Sequence, residues 1–213
     1  MDKLNIYIKP DEKIWFTSDC HFGHRNILNF CERPFENTKE MEKAIIENWN
    51  RVVKPNEKVF CLGDFSWFHG RHEIKKIVNR LNGEIYMILG NHDKKEAFEL
   101  CDAKKLHICS DITYLYLRPE INNIDNRFET NCYTIVLSHF PQLCYSQSEK
   151  SNTYNFFGHI HSRKNQPMIE FEEPIKLLKR RQYDIGMDRH DYTPIDFFDV
   201  LKKIDEYQYW DLH

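Results

Sequence analysis

Five short segments, each carrying side chains of metal-ligand type, follow five strand-like apolar runs, and no other feature of the chain constrains its fold as much. They are Asp19-Cys20-His21, Gly63-Asp64, Gly90-Asn91-His92-Asp93, Ser138-His139 and Gly158-His159-Ile160-His161. The runs ahead of them are 14–17, 59–62, 85–89, 133–137 and 154–157, rich in Ile, Val, Leu, Phe and Tyr. Apolar runs of this length, rich in β-branched and aromatic residues, read as strands. Each ligand group therefore falls at the C-terminal end of a strand, the edge of an open α/β sheet where sites are built. On extended backbone, residues two apart share a face, so Asp19 and His21 are expected to point together with Cys20 turned away, and likewise His159 and His161. Gly63, Gly90 and Gly158 each precede a ligand-type residue, where a missing Cβ permits close approach.

The donor types point to chemistry. Only Asp, Asn and His occupy the candidate positions, with no cysteine. Hard oxygens mixed with imidazole suit divalent first-row metals and not a structural zinc knot. Two close metals sharing a carboxylate are a recurring device for hydrolysing phosphate esters.

These blocks resemble the signature of the calcineurin-like metallophosphoesterases: Asp-x-His, Gly-Asp, Gly-Asn-His-Asp/Glu, His and Gly-His-x-His, in that order. All five are present between residues 19 and 161. Ser18-Asp19-Cys20-His21-Phe22-Gly23-His24, followed by Arg33-Pro34-Phe35, is similar to a small bacterial and phage subgroup. The resemblance implies that Asp19, His21 and His161 hold one metal and Asn91, His139 and His159 the other, with Asp64 bridging. It implies that His92 faces the substrate phosphate and that Asp93 orients and charge-supports His92. Two divalent ions, Mn, Fe, Zn or Ni, are the implied cofactors. The implied fold is α/β, a four-layer αββα sandwich of two mixed β-sheets flanked by helices. Periodicity alone gives an α/β chain with a mixed sheet.

Along the chain, Asn37 with Glu40 marks a helix start, and Met41, Ile45 and Trp49 carry it to about Val53. A second helix is expected over 71–81 and a short third over 94–101. One or two strands span 107–117, a polar loop 119–130. Thr193-Pro194 is expected to open a last helix with Pro at its first position, running to about Tyr207. There is no internal repeat or low-complexity linker, and 213 residues fit one domain, 1–213.

Composition excludes several classes. The N-terminal decapeptide is polar and unlike a secretion signal. No apolar run approaches a membrane span of roughly 20 residues, so no membrane partner is expected. Seven cysteines, odd in number and without a Cys-x-x-Cys pair, read as reduced thiols in the cytoplasm. A net charge of −3 gives no general pull toward polyanions, so stable nucleic-acid binding is not expected.

The expected function is a dinuclear metal-dependent phosphoesterase acting on a small phosphate ester, a phosphodiester or nucleotide, by in-line attack of a metal-bound hydroxide. A nuclease or protein phosphatase, or a metal-bearing interaction module without turnover, are the alternatives. His24, Arg25 and Arg163 are candidate substrate-binding residues; for His24, a role supporting a ligand or contacting phosphate is weighed evenly against simple structural hydrogen bonding. Trp67, Phe68 and Tyr145 follow ligand motifs and are candidates to line the cleft, with ordinary packing the alternative. His69, His72, His107, His190 and His213 read as surface or hydrogen-bonded residues, and Lys176, Lys179, Arg180 and Arg181 as a solvated basic face.

Overall fold

In the computed structural model, which describes residues 1–68, 70–120, 126–163 and 181–210, the strands form two five-stranded sheets. One has the order β1 (Asp2–Ile8), β6 (Ile112–Pro119), β7 (Tyr133–Ser138), β8 (Thr153–Phe157), β9 (Gln182–Asp184). The other runs β10 (Ile195–Asp196), β2 (Ile14–Thr17), β3 (Lys58–Cys61), β4 (Glu84–Met87), β5 (Leu106–Ile108). Both are mixed. The pair β6–β7 is antiparallel in the first, and β10 runs antiparallel to an otherwise parallel second sheet. His69, His213 and the basic residues Lys176, Lys179 and Arg180 lie outside the described residues. Arg181 is described, and its guanidinium donates to the Ser148 carbonyl at 3.2 Å.

The central strands β2, β3 and β7 are buried at nearly every position, so both of their faces are covered. Phe16, Phe60 and Leu62 from the second sheet meet Leu115, Ile135, Leu137, Phe156 and Tyr183 from the first in one apolar cluster. Phe16 stacks on Phe60 at 5.5 Å and receives the edge of Phe156 at 5.0 Å. The opposite face of the second sheet, with Trp15, Val59, Cys61 and Ile85, is covered by α2 (Thr38–Val52) and α3 (Arg71–Arg80), after a short α1 (Ile27–Phe30). Burial of each such large side chain is worth roughly 1.5–3 kcal/mol. Helix α4 (Phe197–Trp210) closes one edge, its Phe197, Val200 and Ile204 entering the layer between the sheets. This is the sandwich of two mixed sheets flanked by helices that the resemblance implies.

Helix α2 begins where its sequence says. Asn37 Oδ1 accepts the N–H groups of Lys39 and Glu40, each at 3.0 Å, a cap worth about 1 kcal/mol. Glu40 reaches back to the N–H of Glu36 at 2.8 Å. Two expectations need correction. Residues 94–101 make only a 3-10 turn, Lys95–Phe98. Thr193-Pro194 does not open the last helix: Ile195 and Asp196 first pair with Phe16 and Trp15 as β10. Proline, lacking a donor, is tolerated beside an edge strand. Helix α4 starts at Phe197, and Asp196 Oδ2 accepts the N–H of Phe198 at 3.2 Å. The polar N-terminal decapeptide contains an edge strand, β1, whose residues alternate half-buried and exposed.

Candidate metal centre

The site is assembled by loops leaving the C-terminal ends of β2, β3, β4, β7 and β8. Parallel pairing continues past the strands: Asp19 N–H donates to Gly63 O and His21 N–H to Asp64 O, both at 2.9 Å. Gly158 N–H donates to His139 O at 3.0 Å. The reason Asp19 and His21 converge differs from the sequence expectation. Neither is on extended backbone; their φ angles are 59° and 52°, and Asp64, His159 and His161 have 49°, 71° and 49°. Left-handed backbone at five non-glycine candidate ligand positions is strain of the kind that collects at functional sites and persists only when surrounding contacts enforce it. Cys20, between two such residues, turns into the core under α2. Gly63 (φ +96°) lies so close to Gly90 and the His139 ring that a Cβ would collide with both; a Cβ at Gly158 would strike Ser18 and the Asp19 carboxylate.

All seven expected ligands converge. Asp19, His21 and His161 place one donor atom each within 4.8 Å of one another, and so do Asp64, His139 and His159. Asp64 Oδ2 lies 3.7 Å from His21 Nε2 and 3.5 Å from His139 Nε2, between the two groups. Asn91 Oδ1 is 3.0 Å from His139 Nε2. Asp19, His21, Asp64 and His139 are buried; Asn91 and His159 are exposed.

Outward-facing hydrogen bonds orient the imidazoles so that their inner nitrogens meet. His139 Nδ1 is 2.7 Å from the Leu62 carbonyl, and His161 Nδ1 is 2.7 Å from Asp188 Oδ2. His21 Nδ1 meets His24 Nδ1 at 3.3 Å. Such outer bonds fix the tautomer and leave Nε2 for a cation. His21 Nε2 and His161 Nε2 face each other at 3.3 Å. Without a cation, protons compete for the same groups. Burial pushes the Asp19 carboxyl up to about 7, with Asp184 and Asp64 adding to it, and burial drives His21 well below the usual imidazole range. Burial alone would lower His161, but the Asp188 hydrogen bond and the Asp19 and Asp188 charges carry it up to about 11. Inward-aimed imidazoles beside two buried carboxylates fit divalent cations.

Asp188 and Arg33 are site residues that sequence reasoning did not assign. Arg33 is buried and grips Asp188 with two bonds of 2.8 Å while donating to the carbonyls of Asp19 at 2.7 Å and Cys20 at 3.1 Å. One guanidinium thus fixes both the loop carrying Asp19 and the carboxylate behind His161. Arg33 was visible in the Arg33-Pro34-Phe35 segment; Asp188, in a 3-10 turn, Met187–Arg189, had no motif.

Other expected roles are redistributed. His92 is at the mouth of the site, its side chain 37% exposed and Nε2 3.9 Å from Asp64 Oδ2. Its backbone N–H donates to Asp64 Oδ1 at 3.0 Å. Asp93 is not hydrogen-bonded to the His92 ring. It accepts N–H bonds from Phe65 (3.1 Å), Ser66 (3.4 Å) and Gly90 (3.0 Å), tying the β3 and β4 loops together, because its half-buried side chain reaches only backbone there. Burial raises it to about 6. His24 is buried, bonds His21 and lies flat on Trp67 at 3.9 Å. Its ring therefore braces His21, a candidate ligand. Arg163 is turned to Glu32 at 2.9 Å. Arg25 is exposed, with no ion pair among the described residues. Phe68 packs against the helix-side core, and Tyr145 is buried. His107 pairs with Glu84 at 2.7 Å, and His190 is 3.3 Å from the Asp184 carbonyl.

Two packed mixed sheets with a paired Asp/His centre at their strand ends define an α/β metal-site protein. The chain belongs to the calcineurin-like phosphoesterase family, matched over residues 12–199, and with it to metal-dependent phosphoesterases in general. It is 31% identical to the uncharacterized protein MJ1445 of Methanocaldococcus jannaschii over 91% of this chain and 92% of that one. It is 28% identical to the gene 66 protein of Mycobacterium phage D29, covering 86% and 92% respectively. A protein of unknown function, AQ665 from Aquifex aeolicus, shares the fold with a TM-score of 0.63 and 23% identity, over 90% of this chain and 99% of that one. Among the described residues no helix is long and apolar enough to cross a membrane.

Proposed function

We propose that the chain hydrolyses a phosphodiester or nucleotide-type phosphate ester at two divalent cations. The observation that supports this best is the position of Asp64 Oδ2, within 3.7 Å of a nitrogen from each donor group. Asp19, His21 and His161 would hold one cation, Asn91, His139 and His159 the other, and Asp64 both. Manganese, iron, zinc or nickel suits these donors. When bound, the pair supplies Lewis acidity and a water of lowered pKa.

The remaining steps belong to side chains. His92 is exposed enough to touch substrate and is held beside Asp64 by its own N–H. It would donate a proton to the departing ester oxygen. Asp93 keeps the loops of Asp64 and His92 in register through its backbone bonds. Arg25, exposed next to His24, is the candidate counter-charge for phosphate.

The test is loading with Mn²⁺ and a survey of phosphomonoesters, phosphodiesters and nucleotides, with Asp64→Asn in parallel. Hydrolysis that needs metal and is lost in Asp64→Asn supports the reading. A fully loaded protein inert toward every class would replace it with a metal-bearing interaction module.

A further inference from the structure

A groove of about 380 Å³ opens directly from the second donor group, bordered by Asn91 and His139 and lined by Leu89, Asp111, Ile112, Phe140 and Gln142. It shares Leu89, Asp111 and Ile112 with a larger hollow of about 720 Å³ that extends toward Lys95. A cavity of this size takes a nucleoside-sized group. Phe140 is 47% exposed. Its ring is edge-packed on His139 at 4.9 Å and on His159 at 4.5 Å, which holds it at the border of the site. Leu89 and Ile112 add half-buried aliphatic surface.

The polar groups in the groove select among occupants. Asp111 is exposed and makes no ion pair or hydrogen bond among the described side chains. A free carboxylate beside the phosphate position repels a second phosphate and accepts N–H donors. Gln142 donates its amide to the Phe140 carbonyl at 3.1 Å, which leaves its oxygen as a second acceptor. On the other side of the centre the exposed aromatic residues about His24 are Phe30, whose ring lies 6.5 Å from the His24 ring, beyond it from the donor groups, and Trp67, one of whose faces is already covered by His24, parallel within 9°. An aromatic platform beside acceptors, with aliphatic surface around it, fits a planar heterocycle carrying N–H groups.

We propose that this groove is a nucleobase subsite, with the base stacked on Phe140 and hydrogen-bonded to Asp111, so that the substrate is a nucleotide ester and not a phosphoprotein or alkyl phosphate. This rests on the phosphoesterase reading above and adds the substrate class to it.

The experiment is calorimetric binding to the Mn²⁺-loaded protein. The probes are inorganic phosphate and the methylenephosphonate analogues of adenosine monophosphate and ribose 5-phosphate, whose carbon–phosphorus bond resists hydrolysis. The adenosine analogue is expected to bind about tenfold or more tightly than the ribose analogue, since stacking on an aromatic ring is worth that much. Phe140→Leu, which keeps bulk against His139 and His159 but removes the π face, should bring the ratio close to one. Phe140→Tyr should keep it, and Asp111→Asn should reduce it, with metal content measured for each variant. Equal binding of the two analogues by the unaltered protein overturns the subsite. So does a preference that survives Phe140→Leu, as it would if the base lay on Trp67. If phosphate binds and the base adds nothing, only the subsite fails. If not even phosphate binds the loaded protein, the phosphoesterase reading fails and takes the subsite with it.

Discussion

Asp188 Oδ2 lies 2.7 Å from His161 Nδ1, on the far side of the imidazole from Asp19. Burial alone would raise the Asp188 carboxyl, but the His161 bond and the Arg33 charge hold it below the ordinary carboxylate range. A carboxylate there makes the imidazole a stronger donor toward a cation on its other side. Asp188→Asn is therefore expected to weaken metal binding at the Asp19–His21–His161 group by about 10–100-fold. Titration of the metal-free protein with Mn²⁺ or Zn²⁺ reads this directly. Unchanged affinity would reduce Asp188 to a packing residue.

Arg33 is where that support meets stability. Removing it strands a buried carboxylate and takes donors from the Asp19 and Cys20 carbonyls. Arg33→Met is expected to cost about 3–5 kcal/mol in denaturant unfolding, the scale of a broken buried pair. In a double-mutant cycle with Asp188→Asn the losses should be far from additive, since the second change removes the charge that the first left exposed. Additive losses would mean that the two residues act separately.

The blocks carrying Asp19, Asp64, Asn91, His139 and His159 were legible because each follows a short apolar run rich in β-branched and aromatic residues, which reads as a buried strand. The helix at 38–52 was legible because Asn37 and Glu40 are a local capping signal. What the sequence hid was long-range. Nothing near Asp188 signals that it will sit behind His161, because the pairing depends on where a 3-10 turn lands after β9. Strand β10 was hidden by Pro194, a good helix-opening residue overruled by edge pairing with Phe16 and Trp15. The convergence of Asp19 and His21 was foreseen, but for the wrong reason. Local alternation suggested extended backbone, whereas bonds to Gly63 and Asp64 hold both residues in the left-handed region.

Asp64 should be the residue whose loss empties the centre. With its Oδ2 between His21 and His139, two cations are expected about 3.5–4 Å apart, both touching this carboxylate. Asp64→Ala should lower bound metal below two equivalents and abolish turnover. A loaded protein with a single ion, or with Asp64 away from the ions in an anomalous-scattering map, would rule out the bridging role.

His92, at the mouth of the site, is proposed to serve the leaving group and not the metals, and kinetics can tell these apart. His92→Ala should retain both cations. Its rate loss should be much larger for an alkyl ester, whose leaving oxygen needs a proton, than for a p-nitrophenyl ester, which departs without one. Equal losses on both would assign His92 to stabilising charge on phosphorus, and loss of metal would make it a ligand.

His190 provides a pH test away from the donor groups. Burial is the main cause that lowers its imidazole from 6.5 to about 3, with the Arg189 and Lys203 charges adding to it, against the opposing Asp184 carbonyl and Asp191. The sign follows from which state binds the proton. Below 6.5 the unfolded chain takes up a proton that the folded ring refuses, so stability falls as pH drops, by about 1.4 kcal/mol per unit, until the folded ring titrates. His190→Gln keeps a donor for the Asp184 carbonyl but does not titrate. Between about pH 7 and about pH 5 its stability relative to the unaltered chain should therefore rise by about 2 kcal/mol. Denaturant unfolding at the two pH values, with metal removed from both proteins, measures the difference. A gap that does not change with pH would show that His190 is protonated in the folded chain and that its burial exerts no such control.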